Sequence, residues 1–170
     1  MKHFIIILFL FISCAKDESR DADNLYESKN FIGAIELYNE IINLKPNDIK
    51  SIYRRGRSYE ELKQFKLAFK DYQKVLELDN ENSNATLSMA IHYIRNSNYI
   101  LAEKYSKKAI KINNGLHQAY FILGRSLQYQ GNFGDAVKAF DTSISLNSNF
   151  SDSYYYLGLI YLKLKNDKKA

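Results

Sequence analysis

The stretch Asn132-Phe133-Gly134-Asp135-Ala136 stands in the same register as three earlier ones. These are Asn98-Tyr99-Ile100-Leu101-Ala102, Gln64-Phe65-Lys66-Leu67-Ala68 and Asn30-Phe31-Ile32-Gly33-Ala34. Each holds an amide residue, an aromatic and, three positions on, an alanine, and the pattern recurs every 34 residues; Ala170 is the fifth alanine in the series. Self-similarity at a period of 20–50 residues is the signature of stacked repeats, each too small to bury a core alone.

The composition agrees. Hydrophobic residues make up 46% of the 170, enough for a real core. One proline and seven glycines are a poor supply for the tight turns of an all-β fold. The formal net charge of +5 is mildly basic and does not call for a nucleic acid partner. The single cysteine excludes an internal disulfide and a multi-cysteine zinc site.

That cysteine closes the only signal-like segment. Lys2 and His3 lead into the unbroken apolar run Phe4–Ile12. Nine helical residues span roughly 14 Å, under half of a ~30 Å hydrocarbon core, so the run is too short to cross a membrane. A basic start and a short apolar stretch read as a secretory signal. The stretch ends in Phe11-Ile12-Ser13-Cys14, which resembles the lipobox of bacterial lipoproteins, departing from it at Phe11, where leucine is usual. The resemblance implies a signal peptide over 1–13 and a lipidated Cys14 carrying palmitate-type chains. Residues 14–16 then form a tether, and the protein is placed in the bacterial cell envelope, at the outer membrane. Several acyl chains satisfy the need for more than one anchoring signal. Ala15-Lys16-Asp17-Glu18 resembles a surface-export signal of some Bacteroidetes lipoproteins, although such a short charged run is more often a solvated linker.

The repeats themselves resemble the tetratricopeptide (TPR) family, whose pattern is large-x₂-Leu-Gly-x₂-Tyr in a first helix and Ala-x₃-aromatic in a second. The fourth repeat, 117–150, carries Tyr120, Leu123, Gly124, Leu127, Ala136 and Phe140. The second, 49–82, carries Ile52, Gly56, Tyr59, Ala68 and Tyr72, with Arg55 in the leucine position. The third, 83–116, carries Met89, Ala90, Tyr93, Ala102 and Ala109, with Ser106 where an aromatic is usual. The first, 15–48, keeps its second half in Ala34, Tyr38, Ile41 and Pro46, and a partial fifth, 151–170, opens with Tyr154, Leu157, Gly158 and Tyr161. The resemblance covers 17–170 and implies an all-α, right-handed α-solenoid of antiparallel helix pairs. Helices of about 13 residues are expected, with the small residue at Gly56, Ala90, Gly124 and Gly158 letting paired helices approach closely. The aromatic before each alanine is expected to pack back on the first helix of its own repeat.

No catalytic constellation is present. His92 and His117 lack metal-ligand spacing, pairs such as Glu60-Glu61 read as surface carboxylates, and no cofactor is implied. The reading is a non-enzymatic scaffold. In the TPR family the first helices line a concave groove that binds protein or peptide partners. Carried over by register, that groove takes in Tyr53, Arg54 and Arg57, then Leu87, Ile91 and Arg95. It continues with Phe121, Ile122, Arg125 and Tyr129, and extends to Tyr155, Tyr156 and Leu159. Arg and Tyr are enriched in interface hot spots, so a peptide with acidic and apolar residues is the expected ligand. The Lys/Asn/Asn/Lys/Arg clamp of chaperone-binding TPR modules is absent, its positions holding Tyr53, Arg57, Ser88, Gln118 and Ile122. Lys104, Lys107, Lys108 and Lys111 make a basic stripe that reads as a solvated face. The helix at 154–164 is apolar nearly all round, which fits a homodimer, a packed partner or a continuation of the chain. Two further readings stay open: an assembly factor for a pilus or for outer-membrane proteins, and a regulatory piece with a domain beyond residue 170.

Overall fold

In the computed structural model, residues 19–167 are described. The signal segment, Cys14 and Ala170 lie outside them. The described residues form nine helices and no strand. They are α1 (19–27), α2 (Phe31–Leu44), α3 (Ile49–Glu61), α4 (Phe65–Leu78), α5 (Ser83–Arg95), α6 (Tyr99–Ile112), α7 (His117–Tyr129), α8 (Phe133–Leu146) and α9 (Ser151–Asp167). The chain divides into two compact units, residues 19–80 and 81–167 of the described range.

The recurring amide is a helix N-cap. The side chains of Asn30, Asn98 and Asn132 accept the backbone N–H of Gly33, Leu101 and Asp135, filling one donor that the helix leaves orphaned. Gln64, one methylene longer, makes no such bond. The turn before each cap is the same device four times. Lys29, Lys63, Ser97 and Gly131 all take positive φ, 57° to 80°. The next residue's N–H then reaches back to Leu25, Tyr59, Tyr93 or Leu127 at 2.8–2.9 Å. This is the Schellman motif, in which a left-handed residue closes the helix and the following N–H bonds five residues back. One amide residue thus ends the first helix and starts the second.

In the first unit, α1 and α2 share a small core of Ala22, Ala34, Tyr38 and Ile41, while α3 and α4 bury Ile52, Tyr72 and Val75. Asp71 is also buried, and Arg55, the residue in the leucine position, grips it through two hydrogen bonds at 2.6 and 2.9 Å. A third, at 2.8 Å, runs from Arg55 to Asn39, so the departure from the family pattern is a charged clip rather than a gap. In the second unit one cluster runs from Leu87 and Ala90 through Phe121, Ile122, Ala136 and Phe140 to Ile160.

The size pairing across each helix pair is explicit. A Cβ built on Gly56 would lie 2.9 Å from the Tyr72 ring, and one on Gly124 would lie 2.7 Å from the Phe140 ring. In the third repeat Ala90 replaces the glycine and the buried Ser106 replaces the ring, its hydroxyl donating to the Ala102 carbonyl at 2.8 Å. Bulk removed on one helix is returned on the other, which keeps the interior close-packed.

One expectation needs correcting. Tyr99 and Phe133 do not turn back only on their own repeats. Tyr99 stacks on Tyr129 of α7 with ring centroids 4.4 Å apart, and Phe133 lies under the Lys163 ammonium of α9 at 5.7 Å. A flat ring at the start of the second helix meets the thirteenth residue of the following first helix. It therefore ties neighbouring repeats, whereas Phe31 does pack edge-on against Tyr26 of its own repeat.

Candidate functional site

The residues placed in the groove by register divide into three groups. Leu87, Phe121 and Ile122 are buried at 6, 7 and 5% exposure and belong to the core of the second unit. They shape the face but have almost no surface to offer, a correction to their reading as contact residues. Ile91 also packs against that core, and Arg95 is exposed at the end of α5.

The basic residues of the first unit are occupied internally. Arg54 pairs with Glu27 at 3.0 Å and with Asp23 at 3.4 Å, and its guanidinium lies over the Tyr26 ring. Lys50 meets Asp23 at 2.5 Å, and the Tyr38 hydroxyl donates to the same carboxylate at 2.8 Å. Burial pushes the Asp23 carboxyl up, but the bonds from Lys50 and Tyr38 and the Arg54 charge outweigh it and hold the group below its ordinary value. Arg57 pairs with Glu60 at 3.1 Å and Glu61 at 3.7 Å; burial works against its charge, and the Tyr26 hydroxyl and Glu60 carboxylate more than offset that. Tyr53 lies beside Tyr72, with ring centroids 5.7 Å apart. The acidic face of α1 has already taken up Lys50 and Arg54, and Arg57 is held by carboxylates of its own helix.

Arg125 is different. It sits on α7 among rings: Tyr156 at 4.7 Å, Tyr129 at 5.7 Å and Phe121 at 5.9 Å from its guanidinium carbon. One guanidinium nitrogen donates to the Tyr129 hydroxyl at 3.3 Å, its Nε is buried without an acceptor, and no carboxylate pairs with it among the described residues. Gln128, next to it, carries a buried Oε1 without a donor. Beside them opens a cavity of about 490 Å³ lined by Gln128, Tyr129, Phe133, Tyr156, Leu159 and Lys163. Tyr155, 63% exposed, stands edge-on to Tyr156. The second unit therefore brings together a cation held by aromatic faces, an ammonium, unsatisfied polar atoms and an apolar wall. This is the chemistry of a site for a carboxylate attached to something apolar.

Register reasoning missed Phe133 and Lys163. Lys163 occupies the thirteenth place of its repeat, the same place as Tyr129, so extending the register through the fifth repeat was signal enough. Phe133 lies at the head of a second helix, outside the first-helix positions, and only its contact across repeats brings it to the cavity. The lysine stripe on α6 is exposed, and Lys107 pairs with Glu103 at 2.6 Å.

Comparison with known proteins bears on the repeats and the fold. Tetratricopeptide-repeat family models match residues 49–82 and 123–170. Human peptidyl-prolyl cis-trans isomerase FKBP4 is 38% identical over 61 residues, 36% of this chain. The match spans only 13% of that relative's length. Among solved structures, MamA from Desulfovibrio magneticus RS-1 superposes with a TM-score of 0.80 at 17% identity, covering 91% of this chain and 88% of that one. YrrB, described as a TPR protein with an unusual peptide-binding site, gives a TM-score of 0.71 at 21% identity, covering 85% of this chain and 75% of its own. The chain carries tetratricopeptide repeats, and its fold is the all-α solenoid of paired helices that such repeats build.

Proposed function

We propose that this protein is a non-enzymatic scaffold, lipid-anchored in the bacterial cell envelope through Cys14, that holds protein or peptide partners on the first-helix face of its second unit. The observation that carries the binding half is Arg125, a guanidinium framed by three rings beside an open cavity and paired with no carboxylate among the described residues. Its ligand is a segment that brings an acidic group to Arg125 and an apolar side chain to Tyr156 and Leu159. The described peptide-binding site of YrrB is consistent with such a role on this fold. The anchoring half rests on the lipobox-like Phe11-Ile12-Ser13-Cys14.

Two measurements test the two halves separately. Expressed from its full sequence in a bacterium, the protein should enter the detergent phase of a phase-separation extract, and Cys14→Ser should return it to the aqueous phase. For binding, Arg125→Glu should weaken capture of acidic-apolar peptides from a displayed library by at least about tenfold. The melting temperature should hardly move. Unchanged capture would remove Arg125 from the ligand's path.

A further inference from the structure

Three residues after the recurring alanine, the second helix holds Asp71, Tyr105 and Ala139 in successive repeats. In the first two copies that side chain closes the space over its own first helix. Asp71 is clasped by Arg55 of α3 at 2.6 and 2.9 Å. The Tyr105 ring of α6 lies against Tyr93 of α5, with centroids 5.2 Å apart. The third copy supplies only the methyl group of Ala139, and Leu123 and Leu127 of α7 stand where Arg55 and Tyr93 stand in the earlier copies. A cavity of about 300 Å³ opens there, with Leu123, Leu127 and Ala139 as its floor. That volume is at the lower end of the range of small-molecule sites. The lining comes from α6, α7, α8 and the turn at Asn132, all interior elements of the stack.

The rim is charged, and its signs are ordered. Glu103 and Asp135 stand near the starts of α6 and α8, and Lys107 and Lys138 follow one turn on. Both helices run antiparallel to α7, whose end reaches the start of α6 through the Gln130 amide, which donates to Glu103 at 2.8 Å. The carboxylates are thus rooted at one end of the cavity and the ammoniums one turn, about 5 Å, further along. Each lysine bonds the carboxylate of its own helix, Lys107 to Glu103 at 2.6 Å and Lys138 to Asp135 at 2.9 Å. Such exposed pairs are worth little, and each ammonium keeps two further donors. We propose that this cavity binds a free aromatic α-amino acid, its ring on Leu123, Leu127 and Ala139 in the place that the Tyr105 ring takes one repeat earlier. Its ammonium meets Glu103 and Asp135, and its carboxylate meets Lys107 and Lys138. The chain itself shows that a ring suits this niche, and the order of signs on the rim selects a zwitterion; a lone amine or a lone carboxylate engages only one end. The site does not depend on the Arg125 cavity, because Leu123 and Leu127 lie two residues either side of Arg125, on the opposite face of α7.

L-Phenylalanine titrated into the full chain is the probe, followed by calorimetry and by saturation transfer from the protein to the ligand ring. It should bind saturably, while phenethylamine, 3-phenylpropionate and L-alanine should each bind at least about tenfold more weakly. Ala139→Tyr puts the ring of the preceding repeat into the cavity, and it should abolish binding without lowering the melting temperature. Lys138→Glu changes a side chain that is 80% exposed, so the fold should be untouched. It should weaken phenylalanine at least about tenfold and leave phenethylamine unchanged or tighter, and it decides the matter if Ala139→Tyr fails to fold. No saturation by phenylalanine below about 10 mM, undiminished binding by either folded variant, or equal binding of phenethylamine overturns the site.

Discussion

Gln64 is the one amide in its series that fails to cap its helix, and the cause is a single methylene. Asparagine places its side-chain oxygen within reach of the third N–H; glutamine holds the same group one bond further away. Gln64→Asn should therefore raise the stability of the protein by roughly 0.5–1 kcal/mol. Urea unfolding followed by circular dichroism would read this as a higher midpoint with the same slope; no shift would mean that the cap geometry differs at α4. At this scale the sequence was highly legible. The amide-aromatic-alanine register marked where the second helices begin, and the small residue sixteen places before Tyr72 and Phe140 marked where the rings seat. The charge pairing between helices was not legible. Arg54 read as a free groove cation because its partners, Asp23 and Glu27 on α1, meet it only once the helices are side by side; Arg57 pairs with Glu60 one turn along its own helix, which the spacing alone could have shown.

Helices α1 and α9 show what a terminal element does when it lacks one neighbour. Helix α1 has a polar outer surface and contributes only Ala22 as a fully buried side chain, with Leu25 and Tyr26 half-buried. Its docking onto α3 is mostly electrostatic. Amide exchange should therefore be fastest in α1 among the first four helices, with α2 to α4 protected together. Protection of α1 equal to that of α4 would show that its ion pairs do more than surface pairs usually do. Helix α9 is the opposite case, apolar and open, as its sequence implied; it runs from Ser151 to Asp167, longer than the 154–164 stretch that the apolar pattern outlined. Periodicity found α9 but not the way the ring at the head of a second helix reaches the next repeat. That contact depends on how repeats stack, which a single repeat does not reveal.

Across the whole molecule the two units are built on different forces. Residues 81–167 are held by an aromatic and aliphatic cluster, while residues 19–80 add ion pairs from Asp23 to Lys50 and Arg54 and from Asp71 to Arg55. The Asp23 carboxyl lies below its ordinary value of 3.8 in the folded state, so its contribution is fully present above that pH and is lost as the pH falls through the lower, folded value. Acid should thus loosen residues 19–80 first. Amide exchange at pH 3 and pH 7 should differ more in α1 and α3 than in α7 and α8, and Asp23→Asn should remove part of that difference. Glu103, held low by its bonds from Lys107 and Gln130, adds a response of the same sign in the second unit. The architecture at this scale was readable from periodicity. The division of forces was not, because composition counts charges without saying which ones meet.

The left-handed turn residue has a consequence for how this chain can change over generations. Of the four such positions, only Gly131 carries the residue that adopts positive φ at no steric cost; Lys29, Lys63 and Ser97 do so with a side chain attached. All three side chains are exposed, so their replacement disturbs no packing. The protein therefore holds an unspent mutational reserve. If drift elsewhere erodes stability, a lysine or serine turned to glycine at these turns can restore part of it, leaving the rings around Arg125 free to follow a changing partner.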